Sequence, residues 1–177
     1  MILAHKIRLK PNKSQTEYFQ RAAGVSRFTY NWALSEWKRQ YEAGEKPSPF
    51  GLKKQFNQIK REQFPFVVDV HRDCTSQPFA NVGKAFTNFF RRLKQGVDQL
   101  GYPKFKSKKR SRPSFYIAND QFGVDGCAIR IPRLGWVKIA EPLRFQGKLM
   151  SATVGRDGDC WYVSIGVDVG EIEPARR

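Results

Sequence analysis

The sequence changes its character at residue 113. Residues 1–112 contain 24 Lys/Arg and 8 Asp/Glu, which is the whole net charge of +16, whereas residues 113–177 contain eight of each. Soluble proteins usually mix both signs over their surface, and a one-sided excess of Lys and Arg attracts polyanions such as nucleic acids. We therefore predict nucleic-acid binding by the first part of the chain. The alternative is a basic protein whose charge only keeps it soluble.

The hydrophobic pattern changes at the same point. Residues 2–9 alternate like a half-buried strand, and apolar residues then recur at helical spacing until about residue 95. Beyond Pro113, short β-like runs are separated by turn residues, and residues 156–159 are typical of a hairpin. Six strands are predicted there, near residues 115–117, 122–124, 128–131, 136–139, 149–154 and 160–167. We predict an α+β fold, in which a helical domain is inserted after the first strand of a small closed antiparallel β-barrel.

The positions of Gly and Pro, which often end helices and strands, predict the limits of the domains and helices. The barrel is expected from residues 1–10 and 113–177, the helical domain from 11–96, and a basic linker from 97–112. Within the helical domain, a capping box at Ser14 and Glu17 opens a first helix that Gly24 closes. Three further helices are predicted, ending near residues 44, 64 and 95.

The fourth predicted helix, from about Ser76 to Gln95, has two contrasting faces. Between Asp73 and Asp98 the sequence contains no carboxylate, although a solvated helix face usually interleaves Glu with Lys. Amides can contact adenine, and guanidinium can contact guanine or phosphate, so the polar face predicts a nucleic-acid contact; a solvated face that lacks acids is the alternative. The apolar face, which we expect to pack into the core, comprises Phe79, Val82, Phe86, Phe89 and Leu93, and the polar face comprises Gln77, Asn81, Lys84, Asn88 and Arg91.

A run of cations follows this helix. Its members are Lys104, Lys106, Lys108, Lys109, Arg110 and Arg112, with Phe105 among them and no acid. Such a run repels itself, so we expect it to be mobile alone and to become ordered when phosphates neutralise it. A nuclear-localisation signal is the alternative, but the position between two folded parts favours a contact with a nucleic-acid backbone.

The sequence offers little for catalysis. Three widely spaced cysteines predict neither a disulfide framework nor a zinc site, and His5 and His71 have no adjacent nucleophile. Asp168 is the one candidate metal ligand, but a two-metal site needs further carboxylates. We expect no cofactor, no metal and no membrane span, and a reducing, cytoplasmic location.

Four motifs give a family resemblance. They are KIRLKPN at 6–12 with RFTYNW at 27–32, AFTNFFRR at 85–92, GYPKFK at 101–106 and IRIPRLGWVK at 129–138. In this order, they resemble the TnpB (OrfB-type) transposon-encoded proteins, which are RNA-guided DNA nucleases. The resemblance implies a barrel-like wedge domain interrupted by a helical recognition domain, often labelled helix-turn-helix. Together these domains would hold a structured guide RNA and read a short transposon-adjacent DNA motif.

The resemblance also implies a RuvC-like nuclease half with three acidic metal ligands, after the wedge domain. Residues 166–170 have the pattern of its first acidic strand, yet they are continuous with the last wedge strand. We therefore expect Asp168 to be a wedge residue and these residues alone to be non-catalytic. One alternative is the N-terminal part of a split or full RNA-guided DNA endonuclease, with a separate nuclease half as partner if the enzyme is split. The other is a DNA-binding regulator that does not cut. The resemblance also implies a prokaryotic protein associated with the nucleoid.

The resemblance adds site residues to those of the fourth predicted helix and of the run of cations that follows it. The family's motif-reading helix corresponds to residues near Arg72 and Ser76, with an aromatic contribution at Phe50 and a strand residue at Asn119. Pro78 departs from the small or apolar residue expected there. The complete predicted interface is Phe50, Arg72, Ser76, Gln77, Asn81, Lys84, Asn88, Arg91, Arg92, Lys104, Lys106, Lys108, Lys109, Arg110, Arg112 and Asn119.

Overall fold

The computed structural model describes residues 1–96 and 101–170. Its contacts divide the chain into two compact units. The strand unit comprises Met1–Arg21 and Arg112–Arg177, and the helical unit comprises Ala22–Ser111. The helices are α1 (Lys13–Glu42), α2 (Pro49–Gln63) and α3 (Gln77–Lys94), and the strands are β1 (Ile2–Lys10), β2 (Ser114–Ala118), β3 (Gly123–Asp125), β4 (Ala128–Ile131), β5 (Gly135–Ile139), β6 (Lys148–Asp157) and β7 (Cys160–Asp168).

The strand unit is one antiparallel sheet with the order β2-β6-β7-β1-β5-β4-β3. All seven predicted strands are confirmed, and β1 buries alternate residues as its sequence predicts. The first turns of α1 cover the sheet, because Phe19 is fully buried and its ring lies 5.2 Å from that of Trp161 and 5.8 Å from that of Phe115. The apolar faces of the strands therefore form a core together with the beginning of α1.

The sheet is open, so the prediction of a closed barrel was wrong. β2 and β3 are the two edges of the sheet in the described part of the chain. β1 pairs with β7 from Ile2 to Arg8, but with β5 only at Leu9 and Lys10. A barrel requires strand tilt and stagger that match all the way round, and the number of strands in a sequence does not specify these quantities.

α1 is a single helix of 30 residues, and the predicted break at Gly24 was wrong. Gly24 does not adopt a positive φ, whereas Gly44, which follows the helix, has φ of 78°. A glycine inside a helix costs about 1 kcal/mol relative to alanine, and the buried neighbours Ala23 and Val25 hold the helix through this position. Packing therefore outweighs the local preference of glycine.

The start of α1 also differs from the prediction. The capping interaction is made by Asn12 and Gln15 instead of Ser14 and Glu17. The Gln15 backbone N–H donates to Asn12 Oδ1 at 2.8 Å, and the Asn12 backbone N–H donates to Gln15 Oε1 at 3.0 Å. This reciprocal pair satisfies two backbone donors at the helix start.

The helical unit has an aromatic core between α1, α2 and α3. The ring of Phe56 lies 5.0 Å from that of Trp32 and 5.6 Å from that of Phe79, and Trp37 stacks on Phe86 at 4.5 Å. Two short 3-10 turns, Pro65–Asp69 and Arg72–Thr75, lead from α2 to α3. No helix in the described ranges 1–96 and 101–170 is long and apolar enough to cross a membrane.

Pro78 is compatible with the start of α3. It occupies the first turn of the helix and is buried, and a proline is tolerated there because the first backbone N–H groups of a helix have no acceptor within it. The departure from the family pattern at this position therefore leaves the helix intact.

Two glycines provide a matched stability test. We expect Gly24→Ala to raise the free energy of unfolding by about 0.5–1 kcal/mol, because a Cβ there meets no atom within 4 Å and alanine favours a helix. We expect Gly83→Ala to lower it by about 1–3 kcal/mol, because its Cβ would overlap the Pro49 ring at the start of α2. Urea denaturation of both variants measures these changes, and destabilisation by Gly24→Ala would contradict a continuous α1.

Candidate nucleic-acid interface

The apolar face of α3 is buried over its first three turns. Phe79, Val82 and Phe86 have at most 2% of their surface exposed, and Phe89 is half-buried. Leu93 is 51% exposed, so its predicted place in the core was wrong. The helical periodicity continues to the end of α3, but the burial of its apolar residues does not.

The polar face of α3, which we call the α3 stripe, consists of Gln77, Asn81, Lys84, Asn88 and Arg91. Gln77 is half-buried and the other four are exposed. Gln77 Nε2 donates to Asn81 Oδ1 at 3.3 Å, and Arg91 Nη2 donates to Asn88 Oδ1 at 3.4 Å. An amide has two donors and two acceptor lone pairs, so each of these amides retains capacity for a base edge or a phosphate. The structure therefore brings the five residues together on one accessible face.

Two other predicted residues lie at the start of α3. Ser76 immediately precedes the helix and makes no side-chain cap hydrogen bond. Arg72 lies in the second 3-10 turn, and its Nε is 3.5 Å from Oδ1 of the buried Asp73. Its side chain is 61% exposed, so Asp73 orients the guanidinium while leaving part of it accessible.

Of the large apolar residues that the structure describes, Phe50 is the most exposed, at 79%. It lies in the first turn of α2, which Ser48 caps by accepting from the Gly51 backbone N–H at 3.1 Å. Because the neighbouring Pro49 packs against Gly83, this turn lies beside the middle of α3. A surface depression here is lined by Phe50, Lys53, Lys54, Asn57 and Gln58.

The last four of these residues were not predicted. The signal was available, because positions 50, 53, 54 and 57 recur at the spacing of one helix face and carry an aromatic ring, two cations and an amide. The other face of α2 packs into the core through Leu52 and Phe56.

The basic segment, residues 104–112, has a defined anchor at Lys106. Asn31 of α1 accepts from the Lys106 backbone N–H and donates to its carbonyl, both at 2.8 Å. The Lys106 ammonium lies 4.3 Å from the centre of the Tyr30 ring, and burial lowers the pKa of this lysine. The segment was expected to be mobile alone, and at Lys106 it has these defined contacts with α1.

Beyond this anchor the segment exposes its charges. Lys108, Lys109 and Arg110 are exposed around a turn in which Ser107 Oγ accepts from the Arg110 backbone N–H at 3.0 Å. Lys104 and Arg92 are exposed as well. The helical unit contains 18 Lys/Arg and 7 Asp/Glu, so most of the excess positive charge belongs to it.

Arg112 and Asn119 belong to the strand unit. Arg112 Nη1 lies 3.9 Å from Asp157 Oδ1, at a depression that Lys6, Arg156 and Tyr162 also line. Asn119 was expected on a strand, but it lies in the turn that follows β2, where it is exposed.

The polar groups considered for catalysis have structural partners. His5 is buried, and its Nδ1 accepts from the Arg144 backbone N–H at 3.3 Å while Nε2 lies 3.3 Å from Glu141. Burial raises the pKa of the Cys74 thiol to about 12, and Cys74 Sγ lies 3.5 Å from His71 Nδ1. Within residues 1–96 and 101–170, no three His, Cys, Asp or Glu side chains are grouped so that they could hold a metal ion.

Asp168 is the last residue of β7. Its carboxylate accepts from the Gly170 backbone N–H and from the Met1 amino group, both at 3.1 Å. These contacts, the Gly170 hydrogen bond first, lower the pKa of the Asp168 carboxyl. Asp168 therefore belongs to the end of the sheet, where it pairs in register with Ile2 of β1.

Comparison with known proteins shows what the chain is similar to. Residues 1–46 match the OrfB_IS605 family model, described as a helix-turn-helix domain. Over 92% of the chain, the sequence is 27% identical to "Putative RNA-guided DNA endonuclease InsQ" of Escherichia coli (strain K12) and 28% identical to "Putative RNA-guided DNA endonuclease" of Streptomyces pristinaespiralis. The resemblance to the TnpB (OrfB-type) family is confirmed. The chain spans 39% and 40% of the length of these two relatives.

The family label and the local structure differ in one respect. The OrfB-type match covers β1 and α1. In this structure residues 1–46 thus form one strand and one long helix, and the second helix of the unit begins at Pro49. The α3 stripe lies outside the matched residues.

Proposed function

We propose that the helical unit is the nucleic-acid-binding part of a TnpB-like protein, in which the α3 stripe contacts the bases of a DNA duplex. The observation that carries this proposal is an exposed helix face made only of amides and cations, in a stretch of 24 residues, 74–97, without a carboxylate. A solvated face would be expected to contain acids that pair with its cations.

The chemistry of the stripe fits the major groove. Gln and Asn can make two hydrogen bonds to adenine, and Arg can make two to guanine. The hydrogen bonds Gln77–Asn81 and Asn88–Arg91 limit the rotation of these side chains, which reduces the entropy that they lose when they bind. Arg72 and Ser76 extend the proposed contact at the start of α3, and Phe50 extends it on α2.

The basic segment has a different proposed role. Lys108, Lys109 and Arg110 are exposed on a turn and can neutralise phosphates, but loop cations of this kind carry no sequence information. We assign Lys104, Arg92 and Arg112 to the same class of backbone contact. The segment would thus supply affinity, and the stripe would supply sequence preference.

The names of the relatives support two partners, DNA and a guide RNA. Both relatives are named as RNA-guided DNA endonucleases, and we extend that pair of partners to this chain. The second candidate is a DNA-binding regulator that uses the same surface without cutting. Specific binding of one guide RNA distinguishes the first candidate from the second.

The α3 stripe can be tested by separating base reading from charge. After selection of a preferred duplex from a randomised pool, we expect Gln77→Ala with Asn81→Ala to weaken binding to it by about 1–3 kcal/mol and to leave scrambled duplex unchanged. Gln63→Ala is the control, because it removes an exposed amide from the last turn of α2. Equal losses on preferred and scrambled DNA would exclude the stripe as the reader.

The basic segment provides the complementary variant in the same assay. Replacement of Lys108, Lys109 and Arg110 by Ala should weaken binding to both duplexes alike. It should also reduce the slope of log affinity against log salt by up to about 2.7, at about 0.9 per phosphate. The control replaces Arg130, Lys138 and Lys148 of the strand unit by Ala, which removes the same charge. If this control weakens binding and lowers the slope equally, the segment contributes only through the net charge of the chain.

Binding of a guide RNA can be tested by sequencing the RNA that co-purifies with the chain. We expect sequencing of the bound RNA to recover one structured species, because a specific protein–RNA complex survives washing at a salt concentration that removes non-specific polyanions. Replacement of Lys108, Lys109 and Arg110 by Ala should lower its yield. Recovery of RNA in proportion to cellular abundance would instead support the DNA-binding regulator.

We propose that these residues bind without cutting. The support is the position of Asp168, whose carboxylate is hydrogen-bonded to Gly170 at the end of β7. In supercoiled plasmid assays with Mg²⁺ and the co-purified RNA, we expect no nicking by the 177-residue chain. Nicking that Asp168→Asn abolishes would make Asp168 a metal ligand, since a two-metal site needs such a carboxylate.

A further inference from the structure

The helical unit has an aromatic surface that the α3 stripe does not include. Tyr102 is 39% exposed and Phe105 is 53% exposed. Between them lies one cation, because Lys38 Nζ of α1 is 5.0 Å from the centre of the Tyr102 ring and 4.9 Å from that of the Phe105 ring. We call these three residues the aromatic platform.

The platform is held in place at both ends. Tyr102 packs edge-to-face on Phe86 at 5.5 Å and on Phe89 at 5.1 Å, so one end rests on α3. Phe105 precedes Lys106, whose backbone N–H and carbonyl both hydrogen-bond to the Asn31 side chain at 2.8 Å. The Tyr102 ring is therefore held by packing, and the backbone beside Phe105 is held by hydrogen bonds, before any ligand binds.

We propose that the aromatic platform binds unpaired nucleotides of a single-stranded nucleic acid by stacking their bases on Tyr102 and Phe105. Aromatic rings that accompany a basic path are the usual means of binding single strands, because every base has a flat face. Lys38 lies against both rings, and the exposed Lys104 precedes Phe105 in the chain, so these two cations can contact the adjoining phosphates. This site is additional to the proposed duplex contact and does not depend on the α3 stripe.

The charge of the surroundings favours this occupant over a second copy of the chain. Residues 101–112 contain six Lys/Arg and no Asp/Glu. Two copies that meet at this surface would bring like charges together, whereas a strand of phosphates would neutralise them. Single-stranded DNA and single-stranded RNA share the stacking chemistry, and the assay below compares them directly.

The test compares ligands with equal charge and different bases. Fluorescein-labelled oligothymidylate, oligouridylate and an abasic oligonucleotide of the same length are titrated with the intact chain and followed by anisotropy. We expect the thymidylate to bind at least about fivefold more tightly than the abasic strand, which is the lower end of the effect of one stacked base. The ratio of thymidylate to uridylate affinity then identifies the preferred kind of strand.

Variants assign the effect to the platform. Phe105→Ala should remove much of the preference for bases, and Phe105→Trp should retain it. Asn31→Ala removes no ring and no cation, so a weaker preference in this variant would show that the anchor positions the rings. Trp136→Ala is the control, because it removes an exposed aromatic side chain from the strand unit.

The following results would overturn the proposal. They are equal affinity of the wild-type chain for thymidylate and abasic strands, an unchanged preference in Phe105→Ala, and a wild-type dimer in sedimentation that Phe105→Ala dissociates. Duplex binding, measured in parallel, tests the α3 stripe separately. Loss of duplex and single-strand binding together with an altered circular dichroism spectrum in Phe105→Ala would also count against the platform, since it would assign Phe105 to the core.

Discussion

The strand unit depends on the pairing of β1. This first strand lies between β7 and β5. In the described residues it connects the strands β2, β6 and β7 on one side to the strands β5, β4 and β3 on the other. Its long ladder with β7 places the end of β1 against the turn between β6 and β7, and its short ladder with β5 joins the remaining three strands. Because the helices follow β1 in the chain, the insertion leaves from the middle of the sheet and does not interrupt an edge.

The helical unit depends on aromatic packing more than on local helix signals. Trp32 and Phe56 fill the space between α1, α2 and α3, and Trp37 lies flat on Phe86. Burial of such rings contributes several kcal/mol, together with a preference for defined ring geometry. This packing buries one face of α3 and leaves the α3 stripe on the opposite side, so the core determines which residues are available to a ligand.

The α3 stripe and the aromatic platform are two surfaces of the helical unit that consist of different residues. The α3 stripe presents amides and cations, while the aromatic platform presents flat rings with Lys38 between them. These chemistries suit different forms of nucleic acid, since duplex bases show only their edges and unpaired bases show their faces. A protein with both surfaces could contact a paired and an unpaired region at the same time.

The sequence by itself determined the features that depend on neighbours along the chain. The alternation in β1, the six later strands, the two faces of α3 and the concentration of positive charge in residues 1–112 all follow from local periodicity and composition. The motifs that resemble the TnpB family were also visible without a structure. Local patterns were sufficient because side-chain direction follows the period of a helix or a strand.

Only the tertiary structure decided the features that depend on residues far apart in the sequence. Gly24 remains helical because of packing around it, and the sheet is open because its edge strands β2 and β3 do not pair with each other in the described residues. The anchoring of Lys106 by Asn31 joins residues 75 positions apart. Such contacts depend on how completed elements pack together, and the local preferences of glycine, or of a run of lysines, do not contain that information.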